Sequence, residues 1–371
     1  MDLLARAQEM QAQGREVLHL EVGEPDYATA QPIIDAGIAA LCEQRTHYTP
    51  ATGLPALRQA IAEYYARKFS VEISSERVIV TSGASGALQL AMTCLLDVGD
   101  EVLLSDPGYP CNRNIAQLLG IRTRALPVTA ADQYQLSAAQ LEHEWQAGTR
   151  AAMVSSPSNP TGTRIEPQAM QDLLAAVVKN HGHLIVDEIY QGLVYDVADY
   201  TALQYSDDVF VVNSFSKYFG MTGWRLGWMV VPEAFVKVID RMAQNLFLAA
   251  PTMSQYAALA AFTSASETIL QQRRQEFQQR RDYLLPALQA LGFRIASSPQ
   301  GAFYIYADCS AITDDAFSWS YNLLEQVGVA VTPGIDFGDY KAGQHLRFAY
   351  TRPVAELQRA VQLIQIYLNN T

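Results

Sequence analysis

The sequence predicts an α/β fold, a mostly parallel sheet sandwiched by helices, together with a smaller α+β domain. Three observations predict it. Short apolar runs alternate with longer helical patterns through the middle of the chain. Those runs are apolar at nearly every position rather than at every second one. Past Pro251 the texture changes to one long Gln- and Arg-rich helical pattern, then short glycine-punctuated strands. Strands that alternate with helices imply crossover connections and a parallel sheet, and uniformly apolar strands are those covered on both faces.

Taken in order, Asp2 to Gln13 has a helical period and Val17 to Leu20 reads as a strand. Candidate strands follow at Val78–Val80, Glu101–Leu104, Ala152–Val154, Leu184–Asp187, Val209–Val212 and Trp228–Val231. Helical patterns lie between them at Gly86–Leu96, Cys111–Leu119 and Pro167–Lys179. Ser266 to Leu291 is a long helix in which Pro286 predicts a kink or restart, since proline lacks the backbone donor and crowds the preceding turn. The tail supplies strands in "GAFYIYADCS", "GVAVTPGIDF" and "HLRFAYT", then a last amphipathic helix from Val354 to Leu368. The expected division is a large domain over 31–265 and a small one over 1–30 plus 266–371.

Composition narrows the function classes. Of 371 residues 49% are hydrophobic, enough for a sizeable core, and the formal net charge is -12. That charge argues against nucleic acid or an anionic membrane surface as a partner, because phosphate binding needs surplus Lys and Arg. No apolar run reaches the length of a membrane span, and the N-terminus carries no signal-peptide pattern. Cys42, Cys94, Cys111 and Cys309 are scattered without a pairing pattern, which points to a reducing, cytoplasmic compartment. His181 and His183 have no third ligand at metal spacing, so no metal site is expected.

Ligands of open α/β sheets bind beyond the carboxyl ends of the strands, so the residues after each strand should converge. "TSGASGALQLA" follows the first: small residues opening a helix whose free N-terminal amides suit a phosphate, though a tight strand-to-helix turn explains Gly83 and Gly86 equally well. It has neither a P-loop lysine nor dinucleotide spacing. "SDPGYP" offers Tyr109, a ring that stacks on a flat ligand or caps the core. "SSPSNPTG" offers Asn159, held extended before a proline. "DEIY" offers Asp187, a carboxylate that must be paired at the end of an apolar strand, with Tyr190 one turn on. "SFSKYFGMTGWRLGW" offers Ser214, Ser216, Lys217 and Arg225. Each has a plain structural reading by itself. Together they are what a small, flat, phosphorylated aldehyde with a ring nitrogen requires, and pyridoxal 5'-phosphate is that molecule.

At this point the chain resembles the class I/II aminotransferases of the aspartate aminotransferase fold type, the fold-type I pyridoxal-phosphate enzymes. "LEVGEPDYATA", "HYTPATGLPALRQAIAEYY", "VTSGASGALQLA", "DPGYP", "SPSNPTG", "VDEIY", "SFSKYFGMTGWRLGW", "GAFY", "GVAVTPGIDFG" and "LRFAYT" occur in family order over nearly the whole chain. The resemblance implies a seven-stranded sheet and a role for each residue. Lys217 is similar to the Schiff-base lysine and proton carrier, and its amine must be neutral to react. Asp187 is similar to the partner of the pyridine nitrogen. Asn159 and Tyr190 match the residues that bond the phenolic oxygen, and Tyr109 matches the stacking ring. Gly83, Ala84, Ser85, Ser214 and Arg225 match the phosphate cup. Arg347, Asn159 and Gly23 match the substrate-carboxylate site, and Tyr48 matches a tyrosine reaching the partner subunit's phosphate, which implies a homodimer.

The implied activity is a ping-pong transfer of an amino group from an L-amino acid to a 2-oxo acid. The fold also hosts C–S β-lyases, aminocyclopropane-type synthases and non-enzymatic cofactor-binding sensors. Family members usually carry a further stretch ahead of the helix that starts here at Asp2, one that walls the pocket and packs on the partner. No arginine stands out as a partner for a side-chain carboxylate, and "NLFLAAPTMSQ" is expected to bring Leu248 to the pocket and favour an uncharged or aromatic substrate.

Overall fold

The apolar runs form strands because alternate residues feed two separate cores. Val186, Val211 and Val230 pack into one hydrophobic cluster, while Ile185, Val212 and Met229 pack into another on the opposite face. Each such side chain contributes roughly 1.5–3 kcal/mol when taken from water, so a polar residue on either face is disfavoured. The computed structural model describes residues 2–370. In chain order its strands are β1 (Leu18–His19), β2 (Val78–Thr81), β3 (Glu101–Asp106), β4 (Arg122–Pro127), β5 (Thr149–Ser155) and β6 (His183–Asp187). They continue with β7 (Phe210–Ser214), β8 (Gly227–Val230), β9 (Tyr304–Asp308), β10 (Val329–Ala330), β11 (Thr332–Pro333) and β12 (His345–Ala349).

Seven of these strands form the main sheet in the order β2-β8-β7-β6-β5-β3-β4. All its pairings are parallel except those of β8, which runs against both β2 and β7. The carboxyl ends of β5, β6 and β7 therefore lie side by side on one edge. The helix Gly83–Leu95 leaves the end of β2 and buries Ala87, Leu88, Ala91 and Met92 in the second cluster, which fixes its N-terminus over that edge.

Two elements depart from the sequence reading. β4 has no counterpart among the predicted strands: it is an edge strand, Arg-Thr-Arg-Ala-Leu-Pro, with most of its side chains exposed and only Ala125-Leu126 bringing apolar character. The long helix runs unbroken from Ser264 to Ala290 through Pro286. Pro286 and Asp282 are both exposed, so the carbonyl that loses its partner one turn back can be hydrated.

The remaining strands carry the other wall of the site. β1 pairs in parallel with β10, and β12 lies between β11 and β9 in an antiparallel sheet. Arg347 stands opposite Tyr306 in that sheet, two positions from the Ala349–Tyr304 pair. Among the described residues no helix is long and apolar enough to cross a membrane, and no group of three or more His, Cys, Asp or Glu could hold a metal. His183 instead packs edge-on against Phe210 and Phe235.

Candidate active site

The strand ends open on a cavity of about 510 Å³. Asp187 reaches it from β6, Ser214 from the end of β7, and Ser216 and Lys217 from the turn that follows. Ala84 and Ser85 come from the first turn of the helix after β2, Ser155 and Asn159 from β5 and its loop, and Arg347 and Tyr304 from the C-terminal sheet. Segments far apart in sequence thus meet where the sheet's geometry requires.

Asp187 is buried, and its Oδ1 accepts from the Ile189 amide at 3.0 Å. Burial raises its carboxyl to about 6, while that amide and the Lys217 ammonium pull it down. The next residue, Glu188, joins the interior instead. It accepts from the Ala202 amide at 2.7 Å, Thr201 Oγ1 at 3.1 Å and Gln191 Nε2 at 2.8 Å. Gln191 then accepts from Asn213 Nδ2 at 3.0 Å, and Asn213 Oδ1 accepts from the Ser214 amide at 2.7 Å. This buried chain ties the end of β6 to the end of β7, so Asp187 and the Ser214–Lys217 turn sit on a shared support.

Lys217 Nζ donates to the carbonyl of Gly23 at 2.7 Å and lies 6.0 Å from the ring centre of Tyr190. Loss of hydration lowers its amine to about 8; Arg347 and Arg225 push the same way, Glu24 and Asp187 against it. A substantial neutral fraction near physiological pH follows, which is what a nucleophilic amine needs.

One end of the cavity is built for an anion. The helix after β2 presents its unpaired first-turn amides at Ala84 and Ser85. Arg225 stands beside them in a left-handed backbone conformation, φ 52°, which is uncommon for a non-glycine residue and costs energy the surroundings must supply. Gly83 lies just behind, outside the cavity lining; a Cβ there would come within 2.6 Å of Arg225 Nη2, so the position keeps the guanidinium in place by having no side chain.

The other end centres on Arg347. Its Nη1 donates to Asn159 Oδ1 at 2.9 Å, and its Nη2 to the Glu21 carbonyl at 2.5 Å and Thr332 Oγ1 at 3.2 Å. The guanidinium is sandwiched between the rings of Tyr304 at 4.3 Å and Phe337 at 4.7 Å. Among the described residues these acceptors are all neutral, and its Nε is buried without a partner. A buried cation so held calls for an anionic ligand. Because Asn159 Oδ1 is taken up by Arg347, only the Asn159 amide nitrogen is left to meet a ligand in the cavity it lines.

The cavity gathers Gly23, Ala84, Ser85, Tyr109, Asn159, Asp187, Tyr190, Ser214, Lys217, Arg225 and Arg347. It does not take in Tyr48, whose side chain is 83% exposed on this subunit, nor Leu248, which is exposed in a left-handed turn. The expectation that Leu248 lines the pocket of its own subunit is therefore not met. Residues the sequence reading does not assign also line it: Glu24, bonded by Thr222 Oγ1 at 2.6 Å, and Tyr304, bonded to Tyr190 through the two hydroxyls at 2.8 Å. Tyr304 is visible in "GAFY", where a tyrosine among core residues looks like one more buried ring.

Comparison with known proteins agrees with this geometry. The family model for aminotransferase class I and II matches residues 15–364. A (5-formylfuran-3-yl)methyl phosphate transaminase of Methanocaldococcus jannaschii is 37% identical, covering 100% of this chain and 96% of the relative. A valine–pyruvate aminotransferase of Mycobacterium tuberculosis is 36% identical over 99% of this chain and 95% of its own length. The crystal structure of an aminotransferase from Mycobacterium tuberculosis superposes with a TM-score of 0.97 at 36% identity, covering 100% of this chain and 96% of that one.

Proposed function

The chain belongs to the aminotransferase class I and II family and is a transferase enzyme, and from that premise we propose that it moves an amino group from an L-amino acid to a 2-oxo acid with pyridoxal 5'-phosphate. The observation that carries this reading is a single cavity holding a lysine of lowered basicity, a buried aspartate and an anion-receiving helix end. The donor set fits the cofactor. Ala84, Ser85, Ser214 and Arg225 would hold its phosphate, Asp187 its ring nitrogen, Asn159 and Tyr190 its ring oxygen, and Tyr109 a ring face. Lys217 would hold its aldehyde carbon. When bound, the cofactor supplies an electron sink for the substrate's α-carbon.

The protein's own residues do the rest. Asp187 in its ionised form keeps the partner nitrogen protonated, so the residue must be a carboxylate rather than an amide. Arg347, held as a fork by Asn159, Glu21 and Thr332, receives the substrate's α-carboxylate and orients its α-carbon toward Lys217. The Lys217 amine then carries the α-proton, with Gly23 as its resting acceptor.

In the same reading the enzyme is a cytoplasmic homodimer, with Tyr48 reaching the phosphate end of the neighbouring subunit's cavity. Its exposure on its own subunit supports this. The large unit over 31–265 and the small unit over 1–30 plus 266–371 would carry the two walls of the cavity.

The test is spectroscopic. Purified holoenzyme mixed with an amino acid and no acceptor should lose its pyridoxal absorbance and gain that of the pyridoxamine form. Addition of a 2-oxo acid should reverse the change. Release of pyruvate and ammonia in place of that conversion would overturn the transaminase reading in favour of a lyase.

A further inference from the structure

Tyr304 meets three of the groups at the substrate end of the cavity: Tyr190, Arg347 and Gly23. Its hydroxyl shares a hydrogen bond with Tyr190 at 2.8 Å, and its ring lies 4.3 Å from the Arg347 guanidinium. The same hydroxyl abuts Gly23 so closely that a Cβ there would overlap it, and the Gly23 carbonyl is the acceptor for Lys217. Both phenols are buried, and among the described residues the bond between them is the one hydrogen bond of either hydroxyl.

Two phenols and one bond leave two arrangements. Either Tyr190 donates to Tyr304, or Tyr304 donates to Tyr190. Tyr190 and Tyr304 both line the cavity, but Tyr190 follows Asp187 by three residues and its ring centre lies 6.0 Å from Lys217 Nζ, so in the pyridoxal-phosphate reading its hydroxyl is the one that serves the ring oxygen. Serving such an acceptor uses Tyr190's hydrogen, and its oxygen is then free to accept. Tyr304 is the donor in place for it, at 2.8 Å and with no other hydrogen-bond partner among the described residues, while close-packed Gly23 adds no side chain that could compete for its hydrogen. A donor that is itself an acceptor is a stronger donor.

We propose that Tyr304 is a positioning residue: its hydroxyl donates to Tyr190 and aims Tyr190's hydrogen into the cavity, while its ring fixes the plane of Arg347. The inference rests on the reading of the cavity as a pyridoxal-phosphate site. It divides one side chain into two separable tasks. The hydroxyl acts on the cofactor end through Tyr190, and the ring acts on the carboxylate end through Arg347.

The experiment is a pH titration of the holoenzyme's cofactor absorbance, with steady-state kinetics alongside. Hydrogen donation to the cofactor's ring oxygen stabilises the deprotonated chromophore, so weakening it moves the midpoint upward. Tyr304→Phe should raise the midpoint by about half a pH unit. Its ring still covers Arg347, so the amino-acid KM should stay within about twofold. Tyr304→Leu should show the same shift and raise KM about fivefold, since the cation–ring contact is lost. In a Tyr190→Phe background, Tyr304→Phe should cause no further shift. An unchanged midpoint in Tyr304→Phe, or independent additive shifts in the double variant, overturns the inference. If Lys217→Ala titrates like the parent, the cofactor reading itself fails and takes the inference with it.

Discussion

Lys217 Nζ donates to the carbonyl of Gly23 across a sequence separation of 194 residues, at 2.7 Å. The amine at the end of the central sheet is thus parked on the N-terminal segment, within the field of the buried Arg347. Its position and its lowered basicity have the same origin: a cavity that strips water from it, with Arg347 and Arg225 pushing the same way against Glu24 and Asp187.

If Lys217 holds the cofactor, borohydride treatment of the holoenzyme should fix the label at Lys217, read by peptide mass mapping. Lys217→Ala should lower kcat by about 10³-fold or more, because nucleophile and proton carrier are lost together. A label at another lysine removes the basis for the assignment.

The pH dependence of stability in the cofactor-free protein should show the Lys217 shift directly. The folded-state value of about 8 lies below the ordinary 10.5, so between those limits the unfolded chain binds more protons and stability rises with pH. Asp187, raised from 3.8 to about 6, acts oppositely: stability falls as pH climbs through that lower window. Lys217→Met should therefore unfold later than the parent in denaturant at pH 7, and the gap should narrow by pH 10. A gap of equal size at both pH values contradicts a perturbed Lys217.

Arg347→Lys should raise the amino-acid KM about tenfold to a hundredfold, with a smaller effect on kcat. A lysine keeps the charge but cannot bond Asn159, Glu21 and Thr332 while also offering a fork. Steady-state kinetics with one donor amino acid decides it, and an unchanged KM would place the carboxylate elsewhere.

Hybrid dimers test the shared site. Tyr48→Ala and Lys217→Ala subunits, each impaired alone, should together form dimers with one complete site, recovering up to half the parent activity per heterodimer. No recovery would mean that Tyr48 serves no neighbouring cavity.

The sheet and most of the cavity are legible in the sequence because buried strands and the residues after them are chemically loud. Leu184-Ile185-Val186 followed by Asp187 announces both a strand and a site, since an uninterrupted apolar run reads as a buried strand and a carboxylate at its end must find a partner. β4 is silent for the opposite reason: an edge strand with Arg122 in water and Arg124 tied to Glu101 and Glu144 has no apolar run to show. A kink or a restart at Pro286 is expected from local rules; no restart occurs, because the freed carbonyl lies on a wet face that those rules cannot see. Tyr304 and Glu24 escape assignment because their roles come from contacts with Tyr190 and Thr222, distant in sequence.

β1 has a consequence for how the enzyme is made. Its ladder partner is β10, and just beyond it the Glu21 carbonyl accepts from Thr332, 311 residues further along. During synthesis the central sheet can assemble on the ribosome while this first strand is still waiting for its mate. The carbonyl on which the Lys217 amine rests is therefore set late, only once the segment around Val329 and Thr332 has emerged.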